Sequence, residues 1–160
     1  MRLYNSLPVL FLTLLILAAC GKEEKKQEDL ASYLPGVWEV SLLQVTVNSA
    51  QNDPDSSYVF EANKDNWVDQ FQVKPFRTFY ESDNKYRIEY RTVYDSLLNM
   101  SRGIYNVFGD TLMRIEPNGT YQYIVKRPQP GIMEYRSTID WDGDGNEDDD
   151  YLEVQRFLKL

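Results

Sequence analysis

The chain has 160 residues, of which 25 are acidic and 17 basic, so its formal net charge at pH 7 is −8. A surface of that sign repels nucleic acid, and we expect no nucleic-acid partner. The sequence contains no histidine and a single cysteine. Catalytic triads that need histidine, imidazole metal sites and disulfides within the chain are therefore excluded.

The first 19 residues have the pattern of a secretory signal. Arg2 provides a positive start, a mostly apolar run occupies residues 9–17, and Ala18 and Ala19 are the small residues expected before a cleavage site. The run is too short to cross a bilayer, which needs about 20 apolar residues. Since the next residue is Cys20, the segment resembles the bacterial lipoprotein signal. The resemblance implies cleavage before Cys20 and its acylation, which would attach the chain to a membrane.

A charged linker follows, and we assign residues 20–34 to the lipidated cysteine and this linker. Residues 21–29 include no apolar side chain, so no burial offsets the entropy of ordering them and a flexible tether is predicted. Gly21 stands where familiar Gram-negative lipoproteins carry the aspartate that retains them in the inner membrane. Lys22-Glu23-Glu24 is similar to the signal that directs some lipoproteins to the outer face of the cell. These resemblances imply the cell outer membrane, on its periplasmic side or at the cell surface.

Residues 35–160 are predicted to form one domain. Alternation with a period of two dominates this stretch: Tyr86, Ile88 and Tyr90 share one face, and charged residues take the other. The same pattern, with the listed residues facing the predicted core, recurs at Tyr121, Tyr123 and Val125, at Met133, Tyr135 and Ile139, and at Leu152, Val154 and Leu158. Turn signals separate these segments. We therefore predict an all-β fold, a single antiparallel meander barrel of roughly eight to ten strands.

The start of this domain, Leu34-Pro35-Gly36-Val37-Trp38, resembles the Gly-x-Trp segment of the first strand in lipocalin-like proteins. Residues 103–112 resemble the paired strands and Gly-Asp-Thr-Leu turn of small lipocalin-like lipoproteins. The resemblance implies a lipocalin-like barrel in which Trp38 closes the base and Arg156 packs across its ring. A glycine turn followed by an ordinary core tryptophan is the alternative interpretation of the Gly-x-Trp segment.

Tyrosine is frequent, with 12 residues in the chain. A tyrosine ring packs against apolar groups while its hydroxyl binds a polar one, so a barrel lined with tyrosines can hold a small hydrophobic or amphipathic ligand. The residues predicted to contact it are Tyr86, Tyr90, Tyr121, Tyr123 and Tyr135. The alternative is a barrel filled by these rings. The protein would then be an envelope structural or interaction protein, with an exposed apolar patch at residues 67–79 for a protein partner.

An acidic segment near the end of the chain matches the Asp-x-Asp-x-Asp-Gly calcium loop. The residues predicted to bind Ca²⁺ are Asp140, Asp142, Asp144, Asn146 and Asp148. The twelfth position of the loop is Tyr151, where a helix-loop-helix site has a bidentate glutamate. We therefore expect a weak site between two strands, with Asp148, Asp149 or Asp150 completing the ligand shell and with a structural role. The alternative is a solvated acidic hairpin that binds no ion specifically.

The sequence offers little support for catalysis. It has neither Gly-x-Ser-x-Gly nor a glycine-rich phosphate loop. A carboxylate pair, as in glycoside hydrolases, would have to come from single acidic residues on different predicted strands. An envelope hydrolase is the third hypothesis, and we expect no enzymatic activity. The favoured function is a lipid-anchored binding protein of the cell envelope.

Overall fold

The computed structural model describes residues 29–53 and 55–159. The predicted signal peptide, the predicted lipidation site Cys20 and residues 21–28 of the predicted linker lie outside these ranges. Within the two described ranges, no helix combines the length and the hydropathy that a membrane span requires.

The described part of the chain contains nine strands and two short α-helices. The strands are β1 (Gly36–Val47), β2 (Tyr58–Asn63), β3 (Arg77–Tyr80), β4 (Lys85–Arg91), β5 (Leu97–Phe108), β6 (Thr111–Glu116), β7 (Gly119–Lys126), β8 (Ile132–Ile139) and β9 (Asp149–Phe157). The helices are α1 (Leu30–Tyr33) and α2 (Trp67–Phe71), and a 3₁₀ turn spans Ala50–Asn52. The predominance of strands confirms the predicted all-β class.

The sheet closes on itself. Strands β3 to β8 each pair antiparallel with the next strand along the chain, and β9 pairs with β1. On its other edge β1 pairs with β3 through residues 36–39 and with β2 through residues 42–47. Strands β1 and β3–β9 therefore form an eight-stranded antiparallel barrel, with β2 as an additional strand beside the second half of β1. This architecture confirms the predicted barrel, and it is the one that a lipocalin-like resemblance implies.

Helix α1 and the start of β1 close one end of the barrel. The Trp38 ring is buried, its Nε1 donates to the Leu34 carbonyl at 2.8 Å, and ring centroids of Tyr33 and Phe157 lie 5.5 and 5.1 Å away. Leu30 of α1 is buried in the same cluster. The expected closing role of Trp38 agrees with this position.

The expected packing of Arg156 across Trp38 is wrong. Arg156 lies on the outer face of β9, where its guanidinium donates to Glu39, and Phe157 contacts the Trp38 ring instead. Consecutive strand residues point to opposite faces, so the two neighbours cannot share the interior. Glu39 is nearly buried beneath Arg156 and Arg77, which both pair with it.

The expected orientation of β9 is also wrong. Glu153 and Gln155 are 2% and 0% exposed, whereas Leu152 and Val154 are only half-buried. The Gln155 amide donates to Thr78 Oγ1 at 3.2 Å and also to the Glu153 carboxylate. Since a buried polar group is tolerated where it is hydrogen-bonded, the polar face of this strand is the inner one.

Aromatic residues around α2 form a second cluster towards the opposite end of the barrel. Trp67 is buried, with ring centroids 4.7 Å from Phe71 and 5.7 Å from Phe76. Phe76 in turn lies 5.7 Å from Tyr90. The expectation of an exposed apolar patch at residues 67–79 is wrong, because these rings pack against one another and against the barrel.

Candidate functional site

A buried arginine occupies the interior of the barrel. Arg114 on β6 is 3% exposed, and both its Nε and Nη2 donate to the Tyr80 hydroxyl, at 2.9 and 2.5 Å. Its guanidinium carbon lies 5.0 Å from the ring centroids of Tyr123 and Tyr135 and 5.6–5.7 Å from those of Tyr80 and Tyr86. Four tyrosines thus surround one cation, and a single desolvated cation–π contact contributes about 2 kcal/mol.

Further polar groups extend this network towards β9. Glu153 is the buried carboxylate whose charge acts on Arg114, and it accepts hydrogen bonds from Tyr151 and Gln155. Gln155 Oε1 accepts from the Tyr135 hydroxyl at 3.3 Å. Glu153 does not contact Arg114 directly, and its opposite charge in the same interior lowers the cost of burying the guanidinium.

The predicted ligand-binding tyrosines do not enclose one common cavity. Tyr86, Tyr123 and Tyr135 surround Arg114, and the Tyr86 hydroxyl donates to Glu116 at 2.6 Å. Tyr90 contacts Phe76 at the aromatic cluster. The half of the barrel around Arg114 is therefore filled by its own side chains.

A cleft in the barrel wall provides space for a ligand. It has a volume of about 590 Å³ and is lined by residues 120–124 of β7, residues 136–140 at the end of β8, and Glu147. Tyr121 and Tyr123, two of the five predicted tyrosines, contribute to this lining. Tyr121 pairs with Arg114 in the β6–β7 ladder, so the cleft begins where the filled interior ends.

The cleft exists because β7 and β8 separate. Their ladder contains only three pairs, which join residues 124–126 to residues 134–136. Residues 119–123 of β7 pair with β6, and residues 137–139 of β8 pair with β9. These two segments form no ladder pair with each other. Across the opening, the Ser137 hydroxyl donates to the Gln122 carbonyl at 2.7 Å.

The acidic loop between β8 and β9 lies beside this cleft. Carboxylate oxygens of Asp140, Asp142 and Asp149 lie within 4.8 Å of one another. Asp149 is fully buried, and its Oδ2 accepts the Trp141 amide at 2.8 Å. Two ligands of one Ca²⁺ ion can be about 5 Å apart at most, so the three carboxylates fit a shared cation. Of the three residues that the sequence offered to complete the ligand shell, Asp149 is the one that lies with Asp140 and Asp142.

The other residues of the predicted calcium loop bind the segment that follows β1. Asp144 Oδ2 accepts a hydrogen bond from the Asn52 backbone N–H at 3.0 Å, and Asp148 Oδ2 accepts one from the Ser49 hydroxyl at 3.0 Å. The Asn146 side chain donates to the Asn52 side chain. Asp144, Asn146 and Asp148 thus attach the loop to residues 49–52, and so does Asp142, whose Oδ2 accepts the Gln51 backbone N–H at 2.6 Å. Asp140 and Asp142 both lie in the carboxylate group.

Comparison with known proteins gives likenesses among solved structures. No protein-family model and no curated protein matches the sequence. Among solved structures, the chain is similar to the crystal structure of a lipocalin-like protein from Bacteroides uniformis. The two chains are 11% identical over 78% of this chain and 98% of that chain, with a TM-score of 0.47.

Burial of the interior tyrosines predicts a loss of stability in alkali. Burial raises the pKa of Tyr123 from 10.0 to about 12, although Arg114 opposes the shift. Between these pH values the unfolded chain loses the phenol proton and the folded chain keeps it, so the free energy of unfolding falls as pH rises. We expect Tyr123→Phe to lessen this fall by about 1.4 kcal/mol per pH unit, measured by urea denaturation across that pH range.

Tyr94, which is 89% exposed, provides the matched control. Tyr94→Phe should leave the alkaline slope unchanged. Equal slopes in the wild-type chain and Tyr123→Phe would contradict the assignment of Tyr123 to the buried network.

Proposed function

We propose that this chain is a lipid-anchored, non-enzymatic protein of the cell envelope that binds a small amphipathic ligand in the cleft between β7 and β8. The cleft itself is the observation that carries the proposal. Its volume of about 590 Å³ falls within the range of small-molecule sites, about 300–1,000 Å³. The filled interior around Arg114 favours this wall site over a site deep in the barrel.

The lining of the cleft suits an amphipathic molecule. Tyr121 and Tyr123 offer rings and hydroxyls, and Ile139 offers an aliphatic surface. Arg136 and Asp140 supply charges of both signs at the same site. A ligand with an apolar body and a polar group can satisfy both kinds of contact.

Removal of the Tyr121 ring tests the site. The probe is N-phenyl-1-naphthylamine, a neutral fluorophore, titrated into the mature chain from residue 20 carrying Cys20→Ser. We expect Tyr121→Ala to weaken binding about tenfold, which corresponds to about 1.4 kcal/mol. Tyr94→Ala, at an exposed turn away from the cleft, is the control and should bind like the parent. Equal affinities for both variants would remove the cleft from consideration as the site.

Anchoring through Cys20 is supported by the sequence of residues 1–24 and is tested in cells. Cys20→Ser leaves no thiol for acylation, so we expect the protein to move from the membrane fraction to the soluble fraction and to lose labelling by radioactive palmitate. Protease treatment of intact cells would then distinguish the cell surface from the periplasmic side. Continued membrane association of the variant would overturn the anchor.

We further propose that the acidic loop binds a structural Ca²⁺ ion. Three carboxylates held within 4.8 Å of one another repel each other, and a cation would convert this repulsion into attraction. Asp140, Asp142 and Asp149 would supply oxygen ligands. The contacts of Asp144 and Asp148 with residues 49–52 support a loop that is already shaped for the ion.

Calcium should therefore stabilise the fold. For a site of about 1 mM affinity, 10 mM Ca²⁺ is expected to add about 1.4 kcal/mol to the free energy of unfolding, measured by urea denaturation against a chelator. Asp142→Asn should abolish the increment. Asp69→Asn, at an exposed acid in α2, is the control and should retain it. An increment that survives Asp142→Asn would show that the ion acts elsewhere.

A second candidate function, docking to another envelope protein, is favoured by the outer face of β5, β6 and β7. Ile104, Phe108 and Ile124 are 49%, 64% and 46% exposed there. Between Arg102 on β5 and Lys126 on β7, the outward positions carry no charge and comprise Ile104, Asn106, Phe108, Thr111, Met113, Ile115, Thr120, Gln122 and Ile124. In a chain with 26% charged residues, such a face is suited to contact with another protein.

A further inference from the structure

The uncharged outer face of β5, β6 and β7 is bordered by charged positions. The residue opposite Ile104 on β4 is Lys85, and the residue opposite Ile124 on β8 is Arg136. Along the strands the face ends at Arg102 on β5 and at Lys126 on β7. The outward positions of β5, β6 and β7 between Arg102 and Lys126 are called the β5–β7 face from here on.

Two of the bordering cations have no acidic partner. The charged residues opposite the face, and the acid in the turn between β5 and β6, form salt bridges of their own: Lys85 with Asp83, Arg136 with Glu134 and Asp110 with Arg127. Arg102 and Lys126 are exposed, and neither forms a salt bridge with any of the described residues. The border of the face is therefore positive, although the whole chain has a net charge of −8.

The described chain begins close to this face. Helix α1 contacts β5, and Leu30 of α1 lies in one buried cluster with Tyr105 and Leu112. These two residues belong to the β5–β6 hairpin that carries Phe108, which is the most exposed apolar residue of the face at 64%. Residues 20–28 can span about 30 Å at most. A lipid on Cys20 would thus hold this end of the barrel close to a bilayer.

The size of the β5–β7 face suits a surface that is held nearby. Three strands about 4.8 Å apart, with five residues of about 3.4 Å each, cover roughly 250 Å². A stable protein complex buries about 800 Å² on each partner, so the face is small for a protein interface. A short tether makes a small contact sufficient, because it raises the effective concentration of the two surfaces to the millimolar range.

The acids of the chain do not oppose such a contact at the closed end of the barrel. The backbone N–H of Gly131, just before β8, donates to the Tyr33 hydroxyl of α1. The acidic loop begins after the other end of β8, roughly 25 Å away along the eight residues of that strand. Since charges in physiological salt are screened over about 8 Å, Arg102 and Lys126 are the charges that a surface beside the face would meet.

We infer that the β5–β7 face lies on the surface of the bilayer that holds the lipid anchor. Ile104 and Phe108 enter the interface between headgroups and acyl chains, while Arg102 and Lys126 meet anionic phospholipid headgroups. The inference rests on the proposed function, since it requires the anchor at Cys20. It makes the bilayer, and not another protein, the partner of this face.

The test attaches the mature chain to vesicles through its one cysteine. Cys20 is coupled to a maleimide lipid in vesicles of phosphatidylethanolamine and phosphatidylglycerol, which supplies the tether chemically. Phe108→p-benzoylphenylalanine places a photoreactive ring in the face, and mass spectrometry of the intact chain measures the fraction that gains a phospholipid. Tyr58→p-benzoylphenylalanine is the control, because Tyr58 is 46% exposed on β2, which lies across the barrel from β6. We expect about tenfold more lipid adduct at position 108 than at position 58.

Charge variants test the headgroup contacts. Arg102→Gln combined with Lys126→Gln should lower the adduct at position 108 about tenfold, because each cation near an anionic surface contributes up to about fivefold. Vesicles of phosphatidylcholine alone should give the same decrease with the unaltered cations. Lys64→Gln combined with Lys74→Gln removes the same charge outside the face and should leave the adduct unchanged. Equal yields on the anionic and neutral vesicles would overturn the inference.

The outcomes also separate the inference from the anchor. Equal adduct at positions 108 and 58, together with release of Cys20→Ser from the membrane fraction in cells, would overturn the inference and leave the anchor standing. Continued membrane association of Cys20→Ser would overturn both. A protein adduct in place of a lipid adduct at position 108 in intact cells would overturn the inference in favour of a protein partner.

Discussion

The burial of one arginine determines how the rest of this barrel is arranged. A guanidinium cannot be deprotonated in a protein, so Arg114 must be compensated where it stands. Two of its donors are accepted by Tyr80, three further tyrosine rings surround it, and the buried Glu153 supplies the opposite charge. The inner face of β9 is polar for this reason, and the leucine and valine of that strand are left on the outer face.

The same network explains why the candidate site lies in the wall. Side chains that compensate Arg114 occupy the interior, and they cannot also enclose a ligand of several hundred cubic ångströms. Tyr121 lies directly opposite Arg114 in the β6–β7 ladder and also lines the cleft. On this side of the Ile124–Arg136 pair the strands β7 and β8 separate. The cleft opens there, through the side of the barrel. The eight-stranded barrel of this chain thus has a cleft in its wall between β7 and β8, lined in part by tyrosine rings.

Periodicity in the sequence predicts the strands well and the faces only where the core is apolar. At Tyr86 and Tyr135 the buried face is aromatic, and alternation assigned it correctly. On β9 the buried face carries Glu153 and Gln155, and no count of apolar residues can select it. Because the inner and outer faces of β9 are the reverse of those predicted, Phe157 and not Arg156 contacts Trp38. Separation of β7 from β8 depends on pairing between distant segments, which local patterns do not encode.

The acidic loop shows the same division between local and distant information. Spacing identified Asp140 and Asp142 and left three later aspartates open as further ligands, and the fold brings Asp149 into the group. The donors that hold the loop come from Gln51 and Asn52, about 90 residues earlier in the chain. Asp140 belongs to the carboxylate group and also lines the cleft. A cation that fixes this residue would therefore also fix the end of β8. Because coupling between two ligands is reciprocal, occupation of the cleft would in turn change the affinity of the loop for the ion.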